Sequence, residues 1–166
     1  MDNSAYYENF LTNNLKINYV DKMAPFEITT KSEEETLQWA RTFAKTLKIG
    51  DAIAFYGNLG AGKTLITRGI CQALNYSGTV CSPTYTILHE YPNDPPIFHL
   101  DLYRLESNSD LEEVGLSHCL ESNGITLIEW AERLENRIGI THTVHIEILN
   151  DNYRKIIVQE KNPEQP

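Results

Sequence analysis

Eight consecutive residues, Gly57-Asn58-Leu59-Gly60-Ala61-Gly62-Lys63-Thr64, follow a compact apolar run, Ala52–Tyr56. They open a stretch in which Ile66, Ile70 and Leu74 recur at helical spacing. The pattern G-x-x-x-x-G-K-[ST] acquires meaning only in that setting, between a strand and a helix. Glycines reach dihedrals that turn successive N–H groups inward, forming a nest for phosphate oxygens. The helix that follows aims the positive end of its dipole at the same point. A lysine at this position reaches the β- and γ-phosphates, and a Ser or Thr hydroxyl beside it ligates Mg²⁺. The motif therefore marks Asn58, Leu59, Gly60, Ala61, Gly62, Lys63, Thr64 and Leu65 as cofactor-binding, Lys63 as catalytic and Thr64 as a metal ligand. No Asn-Lys-x-Asp guanine signature occurs, which favours ATP·Mg²⁺ over GTP as the ligand.

A metal-bound phosphate site also needs a carboxylate, usually at the end of an apolar strand. Two positions qualify: Asp101 ends Ile97-Phe98-His99-Leu100, and Glu129 ends Ile125-Thr126-Leu127-Ile128. Either alone reads equally well as a plain strand-end carboxylate. Both together beside a P-loop favour at least one acting at the metal.

The rest of the chain alternates elements in the way an α/β domain requires. Phe26–Thr29 reads as a strand. Ser32 and Glu35 form a capping box for a helix carrying Leu37, Ala40, Phe43, Ala44 and Leu47, with Gly50 as its stop. Thr86–Tyr91 and Ile97–Asp101 read as strands joined by the turn Pro92-Asn93-Asp94-Pro95-Pro96. Leu111–Val114 and Ser117–Glu121 read as short helices broken by Gly115, and Ile125–Trp130 as a further strand. Thr143–Leu149 and Tyr153–Gln159 flank Asn150-Asp151-Asn152 as a hairpin. The expected fold is a three-layer, P-loop NTPase-like α/β domain over residues 26–160. Its central sheet is mixed and partly parallel, with a C-terminal antiparallel hairpin. Residues 1–25 read as a flexible extension and 161–166 as a frayed tail.

Composition adds limits. The 166 residues carry a formal net charge of −9, which lowers the expectation of direct nucleic-acid binding, since tight binders usually show a basic footprint. Cys71, Cys81 and Cys119 are odd in number and widely spaced, so reduced thiols in a cytoplasmic protein are expected. No apolar run approaches a membrane span, and the polar start lacks the features of a secretory signal. His142 and His145 stand at H-x-x-H spacing, but two histidines without further ligands read as structural.

The segments Gly57–Thr64, Ser82-Pro83-Thr84-Tyr85-Thr86, His99-Leu100-Asp101-Leu102-Tyr103-Arg104-Leu105 and Glu129-Trp130 together resemble the TsaE family, from about Phe26 to about Val158. The family comprises bacterial ATPases of tRNA threonylcarbamoyladenosine biosynthesis. The lack of an obvious arginine finger or water-positioning glutamine predicts low intrinsic activity. The resemblance implies an ATPase required for modification of the adenosine beside the anticodon in ANN-decoding tRNAs. It implies work on a transferase subunit and its inactive paralogous partner, without transfer of the group by this chain. Direct tRNA contact stays open. By the same resemblance Glu129 lies near the metal with Trp130 as its neighbour at the cofactor. Asp101 orients water or senses the γ-phosphate, and Ser82–Thr86 resembles a GTPase switch in which Thr84 meets metal or γ-phosphate. Which carboxylate ligates Mg²⁺ directly is not decided by the motif. Trp130 as a core aromatic and Arg104 as a surface packing residue remain open readings.

Two other functions use the same scaffold. A small-molecule kinase would carry a lid with arginines, and residues 106–124 contain none. An ATP-dependent scaffold with negligible turnover would tolerate decay of Lys63, Thr64, Asp101 or Glu129, and all four are intact.

Overall fold

Strands β1 (Phe26–Thr30), β2 (Ala52–Tyr56), β3 (Leu88–Tyr91), β4 (Ile97–Asp101), β5 (Ile125–Glu129), β6 (His142–Ile148) and β7 (Arg154–Glu160) form one sheet. Their order is β1-β7-β6-β2-β5-β4-β3. The computed structural model describes residues 25–105, 108–134 and 139–161. The expected extension and tail thus lie outside the described residues, Pro25 and Lys161 excepted.

Four neighbouring strands, β6, β2, β5 and β4, run parallel, while β1, β7 and β3 are antiparallel additions. The parallel strands β2, β4 and β5 are buried at all five positions, as sheets covered on both faces require. Alternation splits their side chains between two cores. Ile53, Phe55, Ile97, Ile125 and Leu127 pack with Ala40 and Ala44 of α1 (Glu33–Ala44) and Ile66 and Ile70 of α2 (Lys63–Ala73). Ala52, Ala54, Tyr56, Leu100 and Ile128 pack with Leu111 of α3 (Asn108–Glu113) and Leu116 and Cys119 of α4 (Leu116–Glu121). The result is the three-layer arrangement, with a P-loop NTPase-like centre and the hairpin β6–β7 beside it.

Register decides what the layers serve. Glu129 stands opposite Phe55 on one side and Asp101 on the other. The carboxyl ends of β2, β5 and β4 therefore finish level, and the loop after β2 enters α2 at the same edge.

Half of the expected capping box forms at α1: the Glu35 N–H donates to Ser32 Oγ at 3.1 Å, but Glu35 Oε2 accepts from the N–H of Lys31, the residue before the cap, at 2.8 Å. Among the expected boundaries that shift, three have a visible backbone cause. Helix α1 ends at Ala44 instead of running through Leu47 to Gly50, because Thr46 and Leu47 bond back to Phe43 and Ala44 and tighten the last turn. Gly50 instead bonds its N–H to Gly124 O at 2.8 Å. Strand β3 begins at Leu88, not Thr86, because Ile87 has φ 67° and donates its N–H to Pro83 O. Strand β5 stops at Glu129, since Trp130 turns to φ 59° and starts a 3₁₀ turn, Ala131–Arg133.

Helices α1 and α2 meet at Gly69, where an added Cβ would stand 2.6 Å from Ala40 Cβ and 3.1 Å from Leu37 O. Alanine gains about 1 kcal/mol over glycine in a helix, but forced overpacking costs about 1–3 kcal/mol. Gly69→Ala is therefore expected to lower the urea midpoint at an unchanged m-value. A midpoint equal to or above that of the parent chain would refute this reading of the helix contact.

Candidate functional site

Gly57 leaves β2 at φ 146°, and a Cβ there would stand 2.6 Å from the Ile146 carbonyl oxygen of β6. Both the dihedral and the close approach exclude a side chain. Gly62, at φ 108°, caps α2 without a side-chain bond, leaving the first N–H groups of that helix for a ligand. The two outer carbonyls of the loop are taken up elsewhere. Arg154, at the start of β7, donates Nε to Ala61 O at 3.1 Å and Nη2 to Gly60 O at 3.2 Å. Its Nη1 holds the carbonyls of Asn150, Asp151 and Tyr153.

Lys63, only 4% exposed, lays its ammonium across the loop. Nζ donates to Gly57 O and, at 3.2 Å, to Asn58 O, and it lies 3.6 Å from the centroid of the Trp130 ring. Burial lowers its pKa from the ordinary 10.5, opposed by the nearby carboxylates of Glu129, Glu132 and Asp101. The left-handed turn at Trp130 swings the indole over Lys63 and against Tyr103, 4.8 Å between ring centroids. Trp130 is thus half-buried at the cavity wall, packed against the second core without lying inside it.

Two carboxylate clusters face this ammonium. Glu129 Oε1 accepts from the Thr64 hydroxyl at 2.8 Å and lies 2.9 Å from His99 Nε2. His99 Nδ1 lies 3.1 Å from the Tyr91 hydroxyl, which also reaches Cys81 O at 3.3 Å. Burial raises the Tyr91 phenol above its ordinary value, so it remains an O–H. In the second cluster, Asp101 Oδ2 accepts from Ser82 Oγ and Thr84 Oγ1, each at 2.6 Å, and Oδ1 accepts the Tyr103 N–H at 3.0 Å.

One cavity collects these groups. Leu59 through Leu65, Thr84, Asp101, Glu129 and Trp130 all line it, together with Ser82. Asn58 alone of the expected residues does not; it contributes its carbonyl to Lys63 and to the Ala61 N–H. Arg104 does not line the cavity; its guanidinium lies 4.3 Å from the centroid of the Tyr85 ring. His142 and His145, three apart on β6, alternate to opposite faces: the first meets Phe43 edge-on, the second stacks on Tyr56. Among the described residues no group of three or more His, Cys, Asp or Glu gathers to hold a metal by itself. A hydroxyl and carboxylates beside a phosphate nest instead suit Mg²⁺, a hard cation usually held by one or two carboxylates plus substrate phosphates.

Sequence reasoning missed Arg154 entirely, and placed Ser82 and His99 in family-like segments without giving either a role of its own. The available signal for His99 was a titratable residue inside the apolar run Ile97–Leu100, where such a side chain is seldom buried without a partner. Arg154 gave no local signal, because its partners lie 93 and 94 residues away.

A family model described as "Threonylcarbamoyl adenosine biosynthesis protein TsaE" matches residues 30–157. The chain belongs to the TsaE family. A Treponema pallidum TsaE is 32% identical over 130 residues, covering 78% of this chain and 96% of that one. A Bacillus subtilis TsaE is 40% identical over 111 residues, 66% of this chain and 68% of the relative. Both are described as tRNA threonylcarbamoyladenosine biosynthesis proteins. The crystal structure of Bacillus subtilis YdiB superposes with a TM-score of 0.69 at 28% identity, covering 84% of this chain and 88% of that one. The TsaE fold described above fits nucleotide binding, and no helix among its described residues is long and apolar enough to cross a membrane.

The lowered pKa of Lys63 has a measurable consequence. Far below it the ammonium is charged in both folded and unfolded chains, and its burial cost is carried in full. As pH rises from the folded-state pKa towards 10.5, the folded chain releases its proton first, so the unfolded state binds more protons and stability rises with pH. Unfolding free energies of the parent chain relative to Lys63→Met are expected to increase across that alkaline window. A flat or falling difference would contradict the direction of the shift.

Proposed function

We propose that this TsaE-family chain binds ATP·Mg²⁺ in the cavity at Gly57–Thr64 and hydrolyses it slowly alone. In this reading it drives the threonylcarbamoyl-transferase complex, a transferase subunit with its inactive paralogue, without transferring the group itself. The observation that carries the reading is the convergence of Lys63, the Thr64–Glu129 pair and Asp101 on one phosphate nest.

Bound Mg²⁺ neutralises charge on the phosphates and orients them. The chain's own groups do the rest. Loop N–H groups and the α2 terminus hold phosphate oxygens. Lys63 exchanges its two carbonyl partners for the β- and γ-phosphates. The Thr64 hydroxyl donates a hydrogen bond to Glu129 and keeps its proton, so a lone pair of its oxygen would be free to help hold the cation. Asp101, by holding Ser82 and Thr84, fixes the switch-like loop at the γ-phosphate side. Trp130 covers Lys63 and keeps bulk water from it. Catalysis of phosphoryl transfer is chiefly positioning and charge stabilisation. Among the described residues neither arginine nor glutamine lines the cavity. The described residues thus supply neither the charge-stabilising arginine nor the water-positioning glutamine of faster enzymes, which supports slow turnover and dependence on partners. The kinase alternative draws no support, since Leu111, Leu116 and Cys119 commit α3 and α4 to the second core and not to a lid.

Multiple-turnover tRNA threonylcarbamoylation, reconstituted with the transferase subunits, tests the reading with the parent chain, Lys63→Ala, Glu129→Gln and no added chain. The parent chain is expected to sustain cycling. Lys63→Ala should match the reaction without it, and hydrolysis should fall about 10²-fold or more on loss of a preorganised charge-stabilising group. Equal product in all four reactions would refute it. Phosphorylation of a metabolite in preference to water would replace it with the kinase reading.

A further inference from the structure

Glu129 is 3% exposed and His99 is fully buried behind it. Their contact, 2.9 Å between Glu129 Oε1 and His99 Nε2, is the middle link of a longer path. The path runs from the Thr64 hydroxyl through Glu129, His99 and Tyr91 to the Cys81 carbonyl. Cys81 adjoins Ser82, whose hydroxyl is held by Asp101. The path therefore joins the P-loop threonine to the root of the switch-like loop through the buried side of the sheet.

The Glu129 carboxylate only accepts, so Nε2 carries the N–H between them, and Tyr91 holds the other ring nitrogen. If His99 is neutral, the Tyr91 O–H turns from Cys81 O to donate to Nδ1, and the ring proton sits on Nε2. If the ring is protonated, Nδ1–H donates to the Tyr91 oxygen, whose own proton goes to Cys81 O, and Nε2 is again protonated. Both arrangements present an N–H to Glu129. Thr64 and His99 land on the same carboxylate oxygen, and among the described residues no hydrogen bond falls on Oε2. Rotation of the carboxylate is thereby restrained from behind, while its second oxygen has no donor among the described residues. Partners of this kind, which hold a metal-site ligand without touching the metal, commonly set its orientation.

We infer that His99, oriented by Tyr91, is a positioning residue that fixes the Glu129 carboxylate for the metal end of the site and ties that end to the switch-like loop. The inference rests on the reading of the cavity as one that takes a nucleotide with Mg²⁺. It predicts that loss of the His99 N–H weakens metal-supported binding specifically, leaving the phosphate nest and Lys63 as they were.

The test measures ADP affinity by calorimetry in excess Mg²⁺ and in EDTA, for the full chain and for His99→Gln, His99→Leu and Tyr91→Phe, with thermal melts alongside. Glutamine can bring an amide N–H to the position of imidazole Nε2, leucine cannot, and phenylalanine removes only the hydroxyl. In His99→Leu the Mg²⁺-supported affinity should fall about 10- to 100-fold, with affinity in EDTA unchanged. His99→Gln should recover part of the loss, and Tyr91→Phe should show a smaller loss of the same kind. Folded variants whose Mg²⁺ and EDTA affinities keep the parent's ratio would overturn the inference. So would affinities that fall equally in both conditions, which would mark His99 as a packing residue only. A parent chain that binds ADP equally well with and without Mg²⁺ would overturn the metal reading itself, and that outcome is visible before any variant is made.

Discussion

The hydrogen bond from Thr64 to Glu129 joins groups 65 residues apart in the chain, and the site exists only if the sheet puts them together. That requirement falls on register. Glu129 shares its face of β5 with Ile125 and Leu127, which pack on the α1–α2 side. A slip of one residue would carry Glu129 to the opposite face, away from α2 and Thr64. The slip is prevented by the apolar content of β2, β4 and β5 themselves, buried at every position. The same packing that stabilises the sheet therefore sets the donor geometry at its carboxyl edge.

The phosphate nest needs a second restraint, because glycines that permit its shape do not hold it. The antiparallel half of the sheet supplies one. Gly57 lies against the Ile146 carbonyl, and Arg154 grips the carbonyls of Gly60 and Ala61 from the turn side of the β6–β7 hairpin. A trans peptide points its C=O and its following N–H in opposite directions. Holding the two carbonyls towards Arg154 consequently turns the Ala61 and Gly62 N–H groups away from it. The guanidinium can do this because its donors sit in a rigid fork that spans neighbouring acceptors. The hairpin thus acts as a brace for the loop, and its attachment beside the parallel core has a functional reason.

Much of this was legible from the sequence, for reasons that differ by element. Ala52–Tyr56 and Ile97–Asp101 are apolar runs bounded by clear punctuation, and they form strands as expected. The motif Gly57–Thr64 carries its own context, so the strand, loop and start of α2 follow from it. The Asn150–Asn152 turn was visible as a cluster of turn formers and closes by Asn150 Oδ1 accepting the N–H groups of Asn152 and Tyr153. Strand order was not visible, since β2 pairs with β5 and β6 through contacts that leave no local mark. The early end of α1 was hidden because Leu47 continues the helical period and still packs on the core, though from a turn. Arg154 and the path behind Glu129 depend wholly on the tertiary arrangement.

The two remaining misses, Ile87 and Trp130, have one cause. Local preference argues against a β-branched or bulky aromatic side chain at positive φ, so both residues read as strand. Both instead take left-handed dihedrals at the edge of the site. Such conformations cost of order 1–3 kcal/mol each and persist only where the surroundings over-determine them. At Ile87 the restraint is the backbone: its N–H is held by Pro83 and its carbonyl by the Asp101 N–H at 2.9 Å. At Trp130 it is the ring, wedged between Tyr103 and the Lys63 ammonium. One turn ends the Ser82–Thr86 loop against β4, and the other lifts an indole over Lys63. At these two positions local rules fail where the backbone bends beside the cavity.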